Sequence, residues 1–443
     1  MDSVKKIFTL MVVATSGLCS FAQNLISDED FKFLEQMTKD VVESSRVKSG
    51  DKARDVVNNL GGTIIRPGGR DCYPSYWVRD YAMSVASGFI TKEEQKFHLM
   101  ITAKTQCDHS WITKNGSLIP AGAITDHIRL NDALPVYYPG TYSYTEQGTT
   151  EWGKMPPVGD HFHFINMAYL YYKSTNSADF LNEKINGTKL INRLELAYNV
   201  PTTPHNSHVI YTTANFRCVD HGFRDSIHIT GHLCFSTLLK YRASYELAEL
   251  LELVGEKEKA QKYRKIGESI KADVPKIFMG EKGMLKASTG MGALYDVWST
   301  AVAVYFNVLE GDVAKKACKI LADAYKNGTL CQRGNPRHII KGDDFSKDSM
   351  WEKANSGNNV YQNGAYWGTP VGWVAYAIAQ VDVASARKMV AEYIAELREN
   401  DYRKGENFNS PIECFNLDNG HSQNPVYMTT VTSPYIVFRN LRK

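Results

Sequence analysis

Segments that are apolar around most of their circumference alternate along this chain with segments carrying a single apolar stripe. That alternation restricts the possible folds more than any other feature of the sequence. Both kinds repeat with helical spacing. Over 256–278 the residues Ala260, Tyr263, Ile266, Ile270, Val274 and Ile277 stand on a Lys- and Glu-rich background, which predicts one buried and one wet face. The preceding span, 226–251, is apolar nearly all round through Leu233, Phe235, Leu238, Leu239, Leu247 and Leu251, and predicts a helix buried on every side. The same couple recurs at 77–89 with 93–107, 162–172 with 178–198, 294–309 with 312–326, and 364–380 with 383–399. Two helices are left over, 28–47 at the start and 426–441 at the end. If these two pair, six inner and six outer helices close a ring, so the expected architecture is an all-α (α/α)6 toroid.

Connector lengths point the same way. Inner segments run into outer ones through a few residues, as at 90–92 and 381–382, whereas outer segments return to inner ones through 48–76, 109–159, 199–224, 280–293, 327–363 and 400–425. Long ordered connectors are uncommon and usually functional. In a toroid all six gather on one rim, above the N-termini of the inner helices. No low-complexity linker divides the chain, so 23–443 reads as a single domain.

The first 22 residues read differently. Lys5 and Lys6 precede an apolar run from Ile7 to Val13, and Ser20-Phe21-Ala22 forms a small-x-small cleavage site before Gln23. This is the pattern of a secretory signal peptide, which predicts export to the periplasm or beyond. Leu18 directly before Cys19 does not favour a lipoprotein anchor. The cysteines after Cys19 are scattered without CxxC spacing, which predicts a core that needs at most one or two disulfides. No later stretch reaches the length of a membrane span. With 51 basic against 48 acidic residues, the net charge of +3 is too balanced for binding dominated by nucleic-acid phosphates.

Carboxylates in or beside the long connectors are the first candidates for chemistry, because hydrolysis of a glycosidic bond needs one carboxyl group as acid and another as base or nucleophile. Asp225 stands where a long connector meets a predicted inner helix, a position that also suits an N-cap. The N-terminus of a helix there would lower its pKa, the wrong direction for an acid. Glu413, between Ile412 and Phe415, lies in the last long connector. Arg79 and Asp80 fall among Tyr76, Trp77 and Tyr81, where an Arg and a carboxylate suit vicinal hydroxyls and Trp77 offers a stacking face. Asp160 precedes the 162–172 helix in a similar way. Asp225, His228 and His232 would share one helical face if 226–251 is a helix, but the spacing lacks the Glu of a zinc-protease helix, and no metal is expected. Neither a phosphate-binding Gly-rich loop nor a Gly-x-Ser-x-Gly elbow is present.

The runs Tyr73-Pro74-Ser75-Tyr76-Trp77-Val78-Arg79-Asp80, Gly222-Phe223-Arg224-Asp225-Ser226, Gln362-Asn363-Gly364-Ala365-Tyr366-Trp367-Gly368-Thr369-Pro370 and Ile412-Glu413-Cys414-Phe415-Asn416, with the 160–172 helix, occur in a familiar order. In this the chain resembles the six-hairpin glycosidases, among them the glucosidase domains of glycogen-debranching enzymes, processing α-glucosidases and trehalases. The resemblance implies an (α/α)6 barrel and an inverting exo-hydrolase that removes an α-linked hexose, glucose by preference, from an oligosaccharide. It implies Asp225 as general acid, Glu413 as general base, Arg79 and Asp80 as binders of sugar hydroxyls, and Trp367 as a subsite wall. Trp77, Asp160, Arg224 and Tyr366 complete the expected sugar contacts, with no cofactor. Phe223-Arg224-Asp225 stands where debranching-type enzymes carry Trp-x-Asp, so Asp220 is a rival for the acid. Leu417-Asp418-Asn419-Gly420 matches the turn expected after Glu413 only loosely. Two other readings stay open: a sugar epimerase or polysaccharide lyase working through His228, His232 and Tyr366, and a saccharide-binding toroid without chemistry.

Overall fold

Twelve α-helices follow one another in the computed structural model, which describes residues 25–149, 153–215, 223–290, 293–343 and 351–442. They are α1 (Asp28–Ser44), α2 (Val78–Val85), α3 (Lys92–Thr105), α4 (Gly159–Thr175), α5 (Leu190–Asn199), α6 (Cys234–Leu253), α7 (Lys257–Phe278), α8 (Val297–Tyr305), α9 (Gly311–Lys326), α10 (Val371–Ala379), α11 (Val383–Glu399) and α12 (Thr429–Leu441). Local chemistry sets several starts. The Ser27 hydroxyl caps α1 ahead of three acidic residues, Thr91 and Glu94 form a reciprocal capping box on α3, and Asp296 accepts from the Trp298 and Ser299 amides of α8.

The even-numbered helices form a closed inner ring, each packed on the next from α2 to α12 and α12 back on α2. Seam contacts include the Ser84 and Thr432 hydroxyls, 2.8 Å apart. The odd-numbered helices lie outside. α1 packs on α12, where the Tyr435 hydroxyl donates to Glu35 at 2.8 Å and its ring stacks between Phe31 and Phe89. The predicted pairing of first and last helices is therefore present. Burial follows the two sequence patterns: α6 is buried over most of its circumference, whereas α7 buries a stripe from Ala260 to Phe278 and leaves its lysines outside.

Three predicted spans differ. The inner helix expected over 226–251 begins only at Cys234. Before it, β4 (Ile227–His228) pairs with β5 (Lys353–Ala354), and Gly231, at φ +84°, turns the chain. The span 178–198 is broken by an Asn186-Gly187 hairpin turn, both residues at positive φ, so α5 covers only its last part. The segment 364–380 opens with β6 (Tyr366–Trp367), and α10 starts after Pro370. The six described cysteines are all free thiols. No helix among the described residues is long and apolar enough to cross a membrane.

The long connectors meet one another, as expected for a single rim. β1 (Ser75–Trp77) of the first pairs with β2 (His127–Arg129) of the second, which pairs with β3 (Pro135–Val136). Gly68 bridges to Tyr427 of the last connector. β7 (Ile412–Asn416) lies between β6 and β8 (His421–Pro425), tying the last connector to the fifth. Leu233 bridges to Ser288, and the Val297 amide donates to the His338 carbonyl, so the third, fourth and fifth are joined too.

Candidate active site

Arg79 is the centre of the rim. It sits in the first turn of α2, is 4% exposed, and reaches Asp126 at 3.6 Å and Asp80 at 3.8 Å, with its guanidinium 5.4 Å from the centroid of Phe223. Burial works against its charge, but the fields of Asp80, Asp225, Asp126 and Asp160 outweigh burial and raise its pKa well above the ordinary value. These four carboxylates come from α2, the third connector, the second connector and the first turn of α4. Residues far apart in the chain thus converge on one cation.

Glu413 stands on β7, not in an irregular loop as expected, and is 1% exposed. Its carboxylate accepts from the Asn424 amide at 2.6 Å, the Gln423 amide at 3.3 Å, the Tyr73 hydroxyl at 3.4 Å and the Tyr361 hydroxyl at 3.5 Å. Burial is the main cause that pushes its pKa up to about 8, helped by the charges of Asp80 and Asp225 and opposed by the Asn424 and Tyr427 hydrogen bonds. Asp80 is also buried, and desolvation carries its pKa up to about 6 against the pull of Arg79 and the Tyr427 hydroxyl, which donates to its Oδ1.

Asp225 lies in a turn before β4, nine residues ahead of the first residue of α6, so it does not cap α6 and does not feel the α6 dipole at the close range expected. Gln362 holds it. The Gln362 side-chain oxygen accepts from the Ser226 amide at 2.7 Å and hydroxyl at 2.8 Å, which leaves the amide nitrogen to donate to Asp225 Oδ1. Asp225 and Glu413 both act electrostatically on the Tyr73 and Tyr361 hydroxyls, so the two carboxyl groups lie within reach of the same pair of phenols. Non-glycine residues at positive φ concentrate here: Phe223, Asn359, Tyr361, Asn424 and Val426. Backbone held in such conformations persists where surrounding contacts over-determine it, and it clusters at functional sites.

The remaining predicted residues pack around this cluster and behind it. Trp77 stacks on His127 with centroids 4.4 Å apart, and the Asp126 carboxylate meets His127 Nδ1 at 2.7 Å. Asp160 is fully buried, and its charge acts on Arg79. Arg224 pairs with Asp296 at 2.5 Å and lies between Phe235 and Trp351. Trp367 is fully buried against Phe223 and Tyr361, and Tyr366 packs under Arg337. His228 and His232 fall on β4 and on a separate short strand at 231–232, not on one helical face, because the expected helix is absent there. Asp220 and the signal-peptide span lie outside the described residues. Sequence reasoning missed Asp126, Tyr361, Gln362, Asn424 and Tyr427 as site residues. Only Gln362 fell inside a recognised motif, and no local spacing marked the others.

No protein-family model and no curated protein matches the chain. Solved structures do. A glucoamylase from Saccharomycopsis fibuligera is 10% identical, with 93% of this chain and 95% of that one covered at a TM-score of 0.55. A GH63 mannosylglycerate hydrolase from Thermus thermophilus, solved in complex with glucose, is 11% identical, with 91% and 99% covered at 0.56. A GH78 rhamnosidase of Bacillus sp. GL1 is 9% identical, with 93% of this chain and 34% of that one covered at 0.55. At such identities the likeness speaks to architecture, and it agrees with the ring of helices and the single rim of connectors: the chain has the six-hairpin (α/α)6 glycosidase fold.

Proposed function

We propose that this protein is a glycoside hydrolase, exported from the cell, which removes an α-linked hexose, glucose by preference, from the end of an oligosaccharide with inversion at the anomeric carbon. The observation that carries this reading is that Asp225 and Glu413 act on the same two phenols, beside Arg79 and Asp80, at the connector rim. Exo action, inversion and the sugar follow from the motif resemblance, and the glycoside hydrolases of like fold support the reaction class.

In this reading Arg79 and Asp80 take the hydroxyls of the terminal sugar, Asp225 protonates the leaving oxygen, and Glu413 removes a proton from the attacking water. Inversion needs carboxyl groups roughly 6.5–9.5 Å apart, with water between. One observation favours a second assignment. A carboxyl group at about 8 is protonated at neutral pH and suits the acid, which would give Glu413 that role and Asp225 the role of base.

Glycosyl fluorides separate the two, because fluoride departs without a proton. With Asp225 as acid, Asp225→Asn keeps turnover of the α-glucosyl fluoride and loses roughly 10²–10⁴-fold on the oligosaccharide, whereas Glu413→Gln loses both. The exchanged pattern establishes the second assignment. A glycoside panel read by proton NMR of the first-formed anomer tests the reaction itself. Unsaturated product ends, an epimerised sugar at unchanged chain length, or saccharide binding without turnover would each overturn it.

A further inference from the structure

Tyr142 of the second connector is 43% exposed, and its ring lies edge-on against two residues of the candidate site: Trp77, with centroids 6.0 Å apart, and His127, at 5.1 Å. A solitary exposed aromatic is ordinary on a protein surface. One that continues a buried stack outward from a site offers a ligand a broad, rigid face at little cost in lost rotamers. The sequence suggested Trp77 for that stacking role, but its ring is already occupied. His127 stacks on it at 4.4 Å and 17°, Tyr73 leans on it at 4.9 Å, and Trp77 is 9% exposed. Tyr73 is half-buried and His127 buried, so Tyr142 is the member of this group that keeps an open face.

The ring is also fixed relative to the site. The Tyr142 carbonyl accepts from Arg129 Nη1 at 2.9 Å, and Arg129 ends β2, the strand that begins with His127 and pairs with β1 at Trp77. The Ser143 amide donates to the Thr141 hydroxyl at 3.0 Å, and the Glu146 amide to the Ser143 hydroxyl at 3.0 Å, which order the loop on both sides of Tyr142. Inward from Tyr142, His127 Nδ1 meets Asp126 at 2.7 Å, and Asp126 pairs with Arg79 at 3.6 Å. A continuous set of contacts thus runs from the open ring to the guanidinium assigned to the terminal sugar.

Depth supplies the direction. Arg79, Asp80 and Glu413 are all buried, whereas Tyr142 is open. An exo-acting hydrolase takes the terminal sugar to its deepest contacts and leaves the rest of the chain toward solvent. Building on the hydrolase reading, we infer that Tyr142 is a specificity-determining residue whose ring carries the first sugar on the leaving side of the scissile bond. The contact is the C–H face of that sugar on the phenol ring, so the hydroxyl of Tyr142 is not needed. A saccharide leaving group gains this contact, and a small leaving group does not. Tyr142 therefore selects for oligosaccharides over simple glycosides without touching the reacting atoms.

The test compares the full-length wild type with Tyr142→Ala and Tyr142→Phe on two substrates: the α-glucotriose of the linkage cleaved, and α-glucosyl fluoride, whose leaving group cannot reach the ring. The expected result is that the ratio of kcat/KM on the trisaccharide to that on the fluoride falls about tenfold in Tyr142→Ala and is kept in Tyr142→Phe, the size of one aromatic contact. An unchanged ratio in Tyr142→Ala overturns the inference. So does an equal fall in Tyr142→Phe, which would assign the effect to the hydroxyl, and so does a uniform fall on both substrates, which would mark a structural role. Calorimetric titration with α-1,4- and α-1,6-linked glucotrioses and with glucose separates this outcome from failure of the hydrolase reading. Trisaccharide affinity lowered about tenfold in Tyr142→Ala with glucose affinity kept supports the platform even where nothing is cleaved. Trisaccharide affinity that the substitution leaves unaltered, or the absence of trisaccharide binding, overturns it.

Discussion

Glu413 places chemistry and stability in opposition. Its folded pKa of about 8 lies above the ordinary 4.5, so its stabilising contribution is complete below about 4.5 and is lost as pH rises through about 8. Glu413→Gln removes that dependence while keeping an amide that fits the same cage. Thermal melts of the two proteins should agree near pH 4 and separate by pH 8, the variant being the more stable by a few kcal/mol. Melting curves that stay parallel across this range would show that Glu413 is not held in a desolvated pit. At this scale the sequence was partly legible. Arg79 and Asp80 are adjacent and flanked by aromatics, so their partnership could be read directly. Tyr427 and Asp126 carry no local sign of their roles, since their partners, Asp80 and Arg79, stand on α2, far from them in the chain.

The last connector is pinned to the first by close backbone approach. A Cβ added at Gly68 would collide with the Val426 carbonyl oxygen and lie 3.1 Å from the Cys72 sulfur. Val426 itself is β-branched, fully buried and at φ +60°, a conformation it keeps only because both flanks are tied: the Gly69 amide donates to its carbonyl, and its own amide donates to the Asn409 carbonyl. Gly68→Ala should therefore cost about 1–3 kcal/mol and lower the melting temperature by a few degrees. It should also lower turnover, because Tyr427 follows Val426 directly. A variant with unchanged stability and activity would show that this bridge does not position the site. Helices with an unbroken stripe were legible at this scale; α11 matches its predicted bounds. The spans that failed did so where turn chemistry or cross-connector pairing won over helical periodicity, as at Asn186-Gly187 and at β4 and β6.

Closure of the ring decides whether the rim exists at all. α12 touches α1, α2 and α10, and Tyr435 sits at its seam between Phe31 and Phe89 with its hydroxyl on Glu35. Tyr435→Ala should cost about 3–5 kcal/mol and depress activity in parallel with stability, measured by melting and by residual turnover below the transition. Full activity from a protein destabilised by that amount would separate the seam from the site. What the sequence by itself determined is the count, order and burial class of the helices, and with them the toroid, because hydrophobic periodicity is a local property that each segment carries alone. Only the tertiary structure decided which carboxyl groups face which phenols, that Asp225 lies in a turn and not at a helix end, and that Glu413 is buried on a strand. Those relations depend on where six long connectors cross, and pairing between residues hundreds of positions apart leaves no imprint on the spacing of either partner.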